Sequence, residues 1–247
     1  MTRTLYVLRH GERPDDLNPT YGTTAPRSHD PPLTGIGVGQ ARATGRWLRA
    51  AGARVDRVFA SPFCRAVHTA EHVVRGLSGD GAGPADDVGA IPGGTTRRVE
   101  PLPVRVEDGL CEHLNPDWFD ERPTTMDRGT LAERFPSVRL DHGSVVEPRY
   151  PESGEEAAAR AGETARRLLD ATEGTLLLVG HGLTVGGIVE GLVGPDDRIA
   201  APYCGLSRLH RDATGWDLTY SGRRTYDEPL PESDGRPAGP ATAAGDD

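Results

Sequence analysis

Short apolar runs at residues 5–9, 57–60, 103–107 and 175–180 alternate with segments whose apolar residues recur at helical period. This alternation constrains the fold more than any other feature, because strands buried on both faces need helices on both faces. Helices are predicted over 35–51, 63–76, 154–171 and 183–192, and Ser153 with Glu156 three residues on has the spacing of a capping box before the third. A hairpin follows over 207–211 and 216–220, turning at Ala213-Thr214-Gly215. The expected fold is α/β, a three-layer α/β/α sandwich with a mostly parallel central sheet. Residues 1–226 are expected to form a single domain. The stretch 227–247, rich in Pro, Ala, Gly and acids, is expected to be a disordered tail, since it has too little apolar surface to bury.

Three stretches lack periodicity: 14–34, 78–100 and 113–151. Loops of such length are functional or disordered. The Gly- and Asp-rich part at 78–94 reads as disordered. The other two directly follow candidate catalytic residues and carry Tyr21, Trp118 and Phe119, so they are expected to rim a pocket.

The net charge of -9 argues against a nucleic-acid binder, and the tail accounts for much of it with six acids and one arginine. No apolar run approaches the roughly 18 residues of a membrane span, and only Met-Thr-Arg-Thr precedes the first strand, so a cytoplasmic protein without a membrane partner is expected. Cys64, Cys111 and Cys204 match no zinc or redox spacing and read as reduced thiols. The residues six beyond them, Ala70, Asp117 and His210, exclude the C-x5-R motif of a cysteine-dependent phosphatase. All 28 Lys and Arg residues are arginine, which excludes a P-loop lysine and a Schiff base. Any phosphate site here must use arginine.

Ligands of open α/β sheets bind beyond the carboxyl ends of the strands. There the first strand delivers Arg9-His10-Gly11 with Arg13 close behind, the second "FASPFCRAVHTA" with Arg65, the third "VEDGLCEH" with Glu112, and the fourth "LLLVGHG" with His181. Guanidiniums can stabilise the equatorial oxygens of a phosphoryl group in flight without a metal. A neutral imidazole can attack phosphorus if its other ring nitrogen donates to an acceptor, and a backbone carbonyl near Gly11 could serve. A carboxylic acid of raised pKa could protonate the leaving oxygen and later activate water. Glu112 is the preferred acid, with Glu107, Asp108 and Asp117 as neighbouring alternatives. His68 and His72, spaced i, i+4, read as a helix face rather than a metal pair, and no metal or cofactor is expected. Asp15 and Asp16 either face substrate or cap the turn, and the turn is the preferred reading. His29, His113, His142 and His210 receive no role.

The segments "LYVLRHGER", "DPPLTGIGVGQARATGRWL", "VFASPFCRAVHTAEHV", "PESGEEAAARAGETARRLL" and "TLLLVGHGLTVGGIV", in this order, resemble the histidine phosphatase superfamily, the phosphoglycerate-mutase-like fold, over most of residues 4–221. The resemblance implies that His10 is the nucleophile, that Arg9, Arg65 and His181 hold the phosphoryl group, and that Glu112 is the proton donor. It implies a metal-independent phosphomonoester hydrolase acting through phosphohistidine. Arg13 resembles the branch of the suppressor-of-T-cell-receptor-signalling and ecdysteroid-phosphate phosphatases, where this arginine adds a phosphate contact. Pro14 stands one position early for the acid-phosphatase R-H-G-x-R-x-P pattern, and Gly182 replaces the acid of its H-D or H-E pair. Glu12-Arg13 likewise departs from the mutase pattern R-H-G-x-S-x-x-N. A mutase and a non-catalytic phosphate-ligand protein remain the alternatives. Tyr21, Trp118 and Phe119 hint at an aromatic or apolar leaving group on a small-molecule or peptide phosphomonoester, and the negative charge disfavours polyphosphates.

Overall fold

In a computed structural model, which describes residues 2–18, 20–25, 27–79 and 100–231, the four apolar runs form β1 (Arg3–Arg9), β2 (Arg57–Ala60), β3 (Val104–Val106) and β5 (Leu176–Gly180). A two-residue β4 (Val138–Arg139) and the hairpin of β6 (Leu206–Arg211) and β7 (Trp216–Arg223) complete a seven-stranded sheet of order β4-β3-β2-β5-β1-β6-β7. The first five in this order run parallel, and β6 and β7 are antiparallel additions at the β1 edge. The helices are α1 (Tyr21–Thr24), α2 (Gly35–Ala50), α3 (Cys64–Ser78), α4 (Arg128–Arg134), α5 (Gly154–Ala171) and α6 (Gly182–Val193).

The two layers follow from the period of two along each strand. Tyr6, Leu8, Val58, Ala60, Leu177 and Val179 face α2 and α3, while Leu5, Val7, Phe59, Leu176 and Leu178 face α5 and α6. The run Leu176 to Val179 is wholly inaccessible, so its four side chains contribute about 1.5–3 kcal/mol each by leaving water. Thr34 caps α2 by accepting from the Gly37 amide, and the Ser153 and Glu156 capping box opens α5 as its spacing requires. The α5 and α6 backbones nearly touch: a Cβ on Gly187 would stand 2.4 Å from the Ala158 carbonyl oxygen. Only glycine admits that approach.

Element boundaries fall within a few residues of those expected. The stretches expected to be bare loops contain more structure than that: α1 lies within 14–34, and α4 and β4 within 113–151. None is long enough to produce a period, and β4 exists because Val138 pairs with Val104 at the sheet edge. Residues 80–99 and 232–247 lie outside the described residues, and with them most of the segments expected to be disordered. At the other end of the domain, Thr225 is buried with its hydroxyl 3.2 Å from that of Thr44, and Glu228 pairs with Arg223 at 2.7 Å. Folded contacts therefore reach just past the boundary expected at 226.

Candidate active site

Because β5 is inserted between β2 and β1, the residues that follow these three strands become neighbours. His10 donates its amide to Gly180 O at 2.9 Å, Ser61 donates its own to Val179 O at 2.9 Å, and the rings of His10 and His181 lie 5.3 Å apart. Both α3 and α6 begin at this end of the sheet, with their positive dipole ends towards it.

His10 is buried, and its Nδ1 lies 2.9 Å from Gly11 O. A carbonyl only accepts, so Nδ1 carries the proton and Nε2 is the basic nitrogen. Burial, reinforced by Arg65 and His181, holds its pKa well below the ordinary 6.5, which keeps the ring neutral. Gly11 is required for this placement, since a Cβ there would meet Gly37 O at 2.8 Å.

His181 has Nε2 2.8 Å from the Ser61 hydroxyl and Nδ1 3.1 Å from Glu112 Oε2, the latter too poorly aligned for a good hydrogen bond. Burial and the nearby Arg65 outweigh the pull of Glu112 and lower its pKa to about 4. Arg65, in the first turn of α3, is 1% exposed; it donates to Glu112 Oε2 at 3.0 Å and His29 O at 3.3 Å and stacks 4.5 Å over Phe63. Arg9 donates to Ala201 O at 2.8 Å and lies 4.3 Å from the centre of the Tyr203 ring. The Nε of each of these two guanidiniums is buried without a protein partner, a donor arrangement that suits an oxyanion.

Arg13 is near enough for its charge to act on Arg9, Arg65 and His181, but its own partners are two acids. Its guanidinium is held by Asp16 at 3.2 Å through two nitrogens and by Asp15 at 3.4 Å. Asp15 and Asp16 do sit in a single 3-10 turn, but they cap nothing; their carboxylates serve Arg13. That corrects the preferred reading of them as residues that cap the turn.

A second correction concerns Glu112. Burial alone would raise its pKa, but the His181 ring and the Arg65 guanidinium prevail and hold the carboxyl well below the usual carboxylate range. The site as it stands therefore contains a carboxylate, not the acid of raised pKa expected. The rival acids are committed elsewhere: Glu107 accepts from Gly109 N, Val145 N and His142, Asp108 pairs with Arg128 at 2.8 Å, and Asp117 is exposed. Glu112 itself is placed by a buried clamp in which Arg160 binds Glu152 at 2.5 and 2.9 Å and donates to the carbonyls of Gly109, Cys111 and Glu112.

The aromatic residues expected at the rim divide. Trp118 is exposed and packs on His113, but Phe119 is buried against His29, whose carbonyl holds Arg65. Phe119 thus supports the arginine from behind. The aromatic side chain beside His10 is Tyr203, 5.5 Å away, which sequence reasoning missed along with Ser61. Neither stands at a periodic position; Tyr203 lies between α6 and β6, next to Cys204, the one non-glycine of positive φ among the described residues.

His68 accepts from the Leu33 amide and His72 from Arg42, so this pair packs α3 against its neighbours as a helix face. Among the described residues, His10, Glu112 and His181 are the three-donor group with atoms within 4.8 Å of one another, and Arg65 beside Glu112 makes it a better host for an anion than a cation. Cys64, Cys111 and Cys204 are free and buried, and burial pushes Cys64 up to about 11 and Cys111 up to about 12. A recess of about 1430 Å³ lies at the opposite, amino end of the strands between Arg3, Arg57 and His210, away from these groups. No helix among the described residues is long and apolar enough to cross a membrane.

Fold and site define a protein of the phosphoglycerate-mutase-like α/β class, with its histidines and arginines gathered at the carboxyl end of a mostly parallel sheet. The profile of the histidine phosphatase superfamily (branch 1) matches residues 5–80 and 94–223, and the chain belongs to that family. It is 26% identical over 260 residues to the ecdysteroid-phosphate phosphatase of Drosophila melanogaster, covering 87% of this chain and 31% of that protein. It is 26% identical over 263 residues to the ubiquitin-associated and SH3 domain-containing protein A of Mus musculus, covering 87% and 39%. The chain thus spans between three and four tenths of the length of these curated relatives. The crystal structure of the ecdysone phosphate phosphatase of Bombyx mori in complex with tungstate superposes with a TM-score of 0.67 at 22% identity, over 99% of this chain and 98% of that one.

Proposed function

We propose that the chain is a metal-independent phosphomonoester hydrolase that works through a phosphohistidine on His10. The observation that carries this reading is the His10 ring, neutral, buried among guanidiniums and donating from Nδ1 to Gly11 O, so that Nε2 is left as a nucleophile. Nε2 attacks phosphorus while the bond to the leaving oxygen breaks. Arg9, Arg65 and His181 bind the non-bridging oxygens, and a dianion among them offsets the charge that now keeps Glu112 ionised. Glu112 then holds a proton and gives it to the leaving oxygen. In the second step the same carboxylate takes a proton from water, which attacks the phosphohistidine and releases phosphate. The match to an ecdysteroid-phosphate phosphatase over 87% of the chain supports this reading over a mutase, as does the departure of Glu12-Arg13 from the mutase pattern. The three reduced thiols fit a cytoplasmic location.

The test joins two residues. Glu112→Gln should lose much activity towards an alkyl phosphate and less towards nitrophenyl phosphate, whose phenolate leaves unaided. Given that activated ester, the variant should accumulate base-stable phosphohistidine on His10, and His10→Ala should show neither label nor turnover. Single turnovers quenched in alkali and mapped by mass spectrometry decide it. Label on His181, or turnover abolished by a chelator and restored by Mg2+ or Zn2+, overturns the mechanism.

A further inference from the structure

The charges around the crevice balance before a substrate enters. Arg9, Arg13 and Arg65 bring three positive charges, Glu112 pairs with Arg65 at 3.0 Å, and Asp15 and Asp16 pair with Arg13 at 3.4 and 3.2 Å. Both imidazoles are neutral, His181 with a pKa lowered to about 4 by burial and His10 held well below its ordinary value. The sum over these groups is zero.

Asp16 belongs to this set by position as well as by charge. It accepts from the Tyr203 hydroxyl, and the Tyr203 ring lies 4.3 Å from the Arg9 guanidinium carbon and 5.5 Å from the His10 ring. A phosphoryl dianion can use the buried, unpartnered Nε donors of Arg9 and Arg65. Arg13, with 27% of its side chain exposed, is close enough for its charge to act on Arg9, Arg65 and His181, and a second anionic group on the substrate would turn to it. Two carboxylates already occupy it, and they repel any further negative charge.

We propose that Asp15 and Asp16 are specificity-determining residues that restrict this site to phosphomonoesters whose leaving group is an uncharged alcohol or phenol. Phosphoglycerates and bisphosphates are selected against. The inference rests on the phosphatase reading above and deepens it by naming the substrate class.

The experiment compares kcat/KM for phenyl phosphate and for 3-phosphoglycerate, together with competitive inhibition by inorganic phosphate and by 3-phosphoglycerate, which needs no turnover of the latter. The native protein should prefer phenyl phosphate by about 100-fold or more. Asp15→Asn/Asp16→Asn should narrow the ratio by about tenfold, with matching tighter inhibition by 3-phosphoglycerate relative to phosphate, and the change should shrink at roughly 1 M salt. Asp16→Asn alone, checked for an unchanged melting temperature, guards against a folding defect in the double variant. Equal native turnover of the two substrates overturns the inference while leaving the phosphatase reading intact. So does an Asn variant that alters both substrates by one common factor. Failure to hydrolyse phenyl phosphate at all overturns the phosphatase reading, and the inference falls with it.

Discussion

Arg65 makes three different contacts with one planar group: it donates to Glu112, donates to the His29 carbonyl, and lies over the Phe63 ring while its Nε stays unpartnered. An ammonium at this place keeps the charge but cannot present that fork. Arg65→Lys should therefore lose about 100-fold or more in kcat/KM, about 2.7 kcal/mol of transition-state stabilisation, in a steady-state assay with nitrophenyl phosphate. Near-normal turnover would put Arg65 outside the reaction. At this scale the sequence indicated residue types well and their partners poorly. His10, Arg65, Glu112 and His181 were legible because each follows a strand. That Asp16 would bind both Arg13 and Tyr203 was not, since 187 positions separate Asp16 from Tyr203 and no local period links them.

Among the elements, α5 does more than cover the sheet. Its Arg160 reaches across to the segment carrying Glu112, and Glu152 joins it from the strap before the helix, also accepting from Leu114 N at 3.0 Å. Both side chains are buried, so removing one leaves the other charged without a partner. Arg160→Met should cost about 3–5 kcal/mol in denaturant unfolding, and Arg160→Met/Glu152→Leu should cost less than the two single changes together. Additive losses would mean that the pair is not coupled. In the folded fraction of Arg160→Met, activity towards an alkyl phosphate should fall further than towards nitrophenyl phosphate, because Glu112 is the group displaced. The elements themselves were readable where they exceed two turns or fill both faces of the sheet. The α4 and β4 elements were not, because seven and two residues carry no recognisable period and owe their structure to the sheet edge they join.

The whole molecule holds four imidazoles neutral against burial: His68 with a pKa lowered to about 4, His72 to about 3, His181 to about 4 and His10 well below 6.5. In the unfolded chain each takes up a proton near pH 6.5, so below that pH the unfolded state binds more protons than the folded one. The stability these groups contribute is complete above about pH 6.5 and is lost as pH falls towards their folded values. Buried Asp30, whose pKa is raised by desolvation, works in the opposite sense. The melting temperature should fall steadily from pH 6.5 to 4, and His68→Gln/His72→Gln should flatten that slope. A flat native profile would count against buried neutral histidines.

Sequence alone determined the α/β/α layering, since strands apolar on both sides and helices of one apolar face have one compact solution, and it placed the candidate site residues after the strand ends. Tertiary structure decided what local pattern cannot carry: that β5 lies between β2 and β1 and so brings His181 beside His10, that Glu112 sits against both His181 and Arg65, and that Asp15 and Asp16 pair with Arg13. Hydrophobic period reports only whether a residue is buried. The charge state of a buried group depends on which other charges the fold brings within a few ångströms of it, and those come from distant parts of the chain.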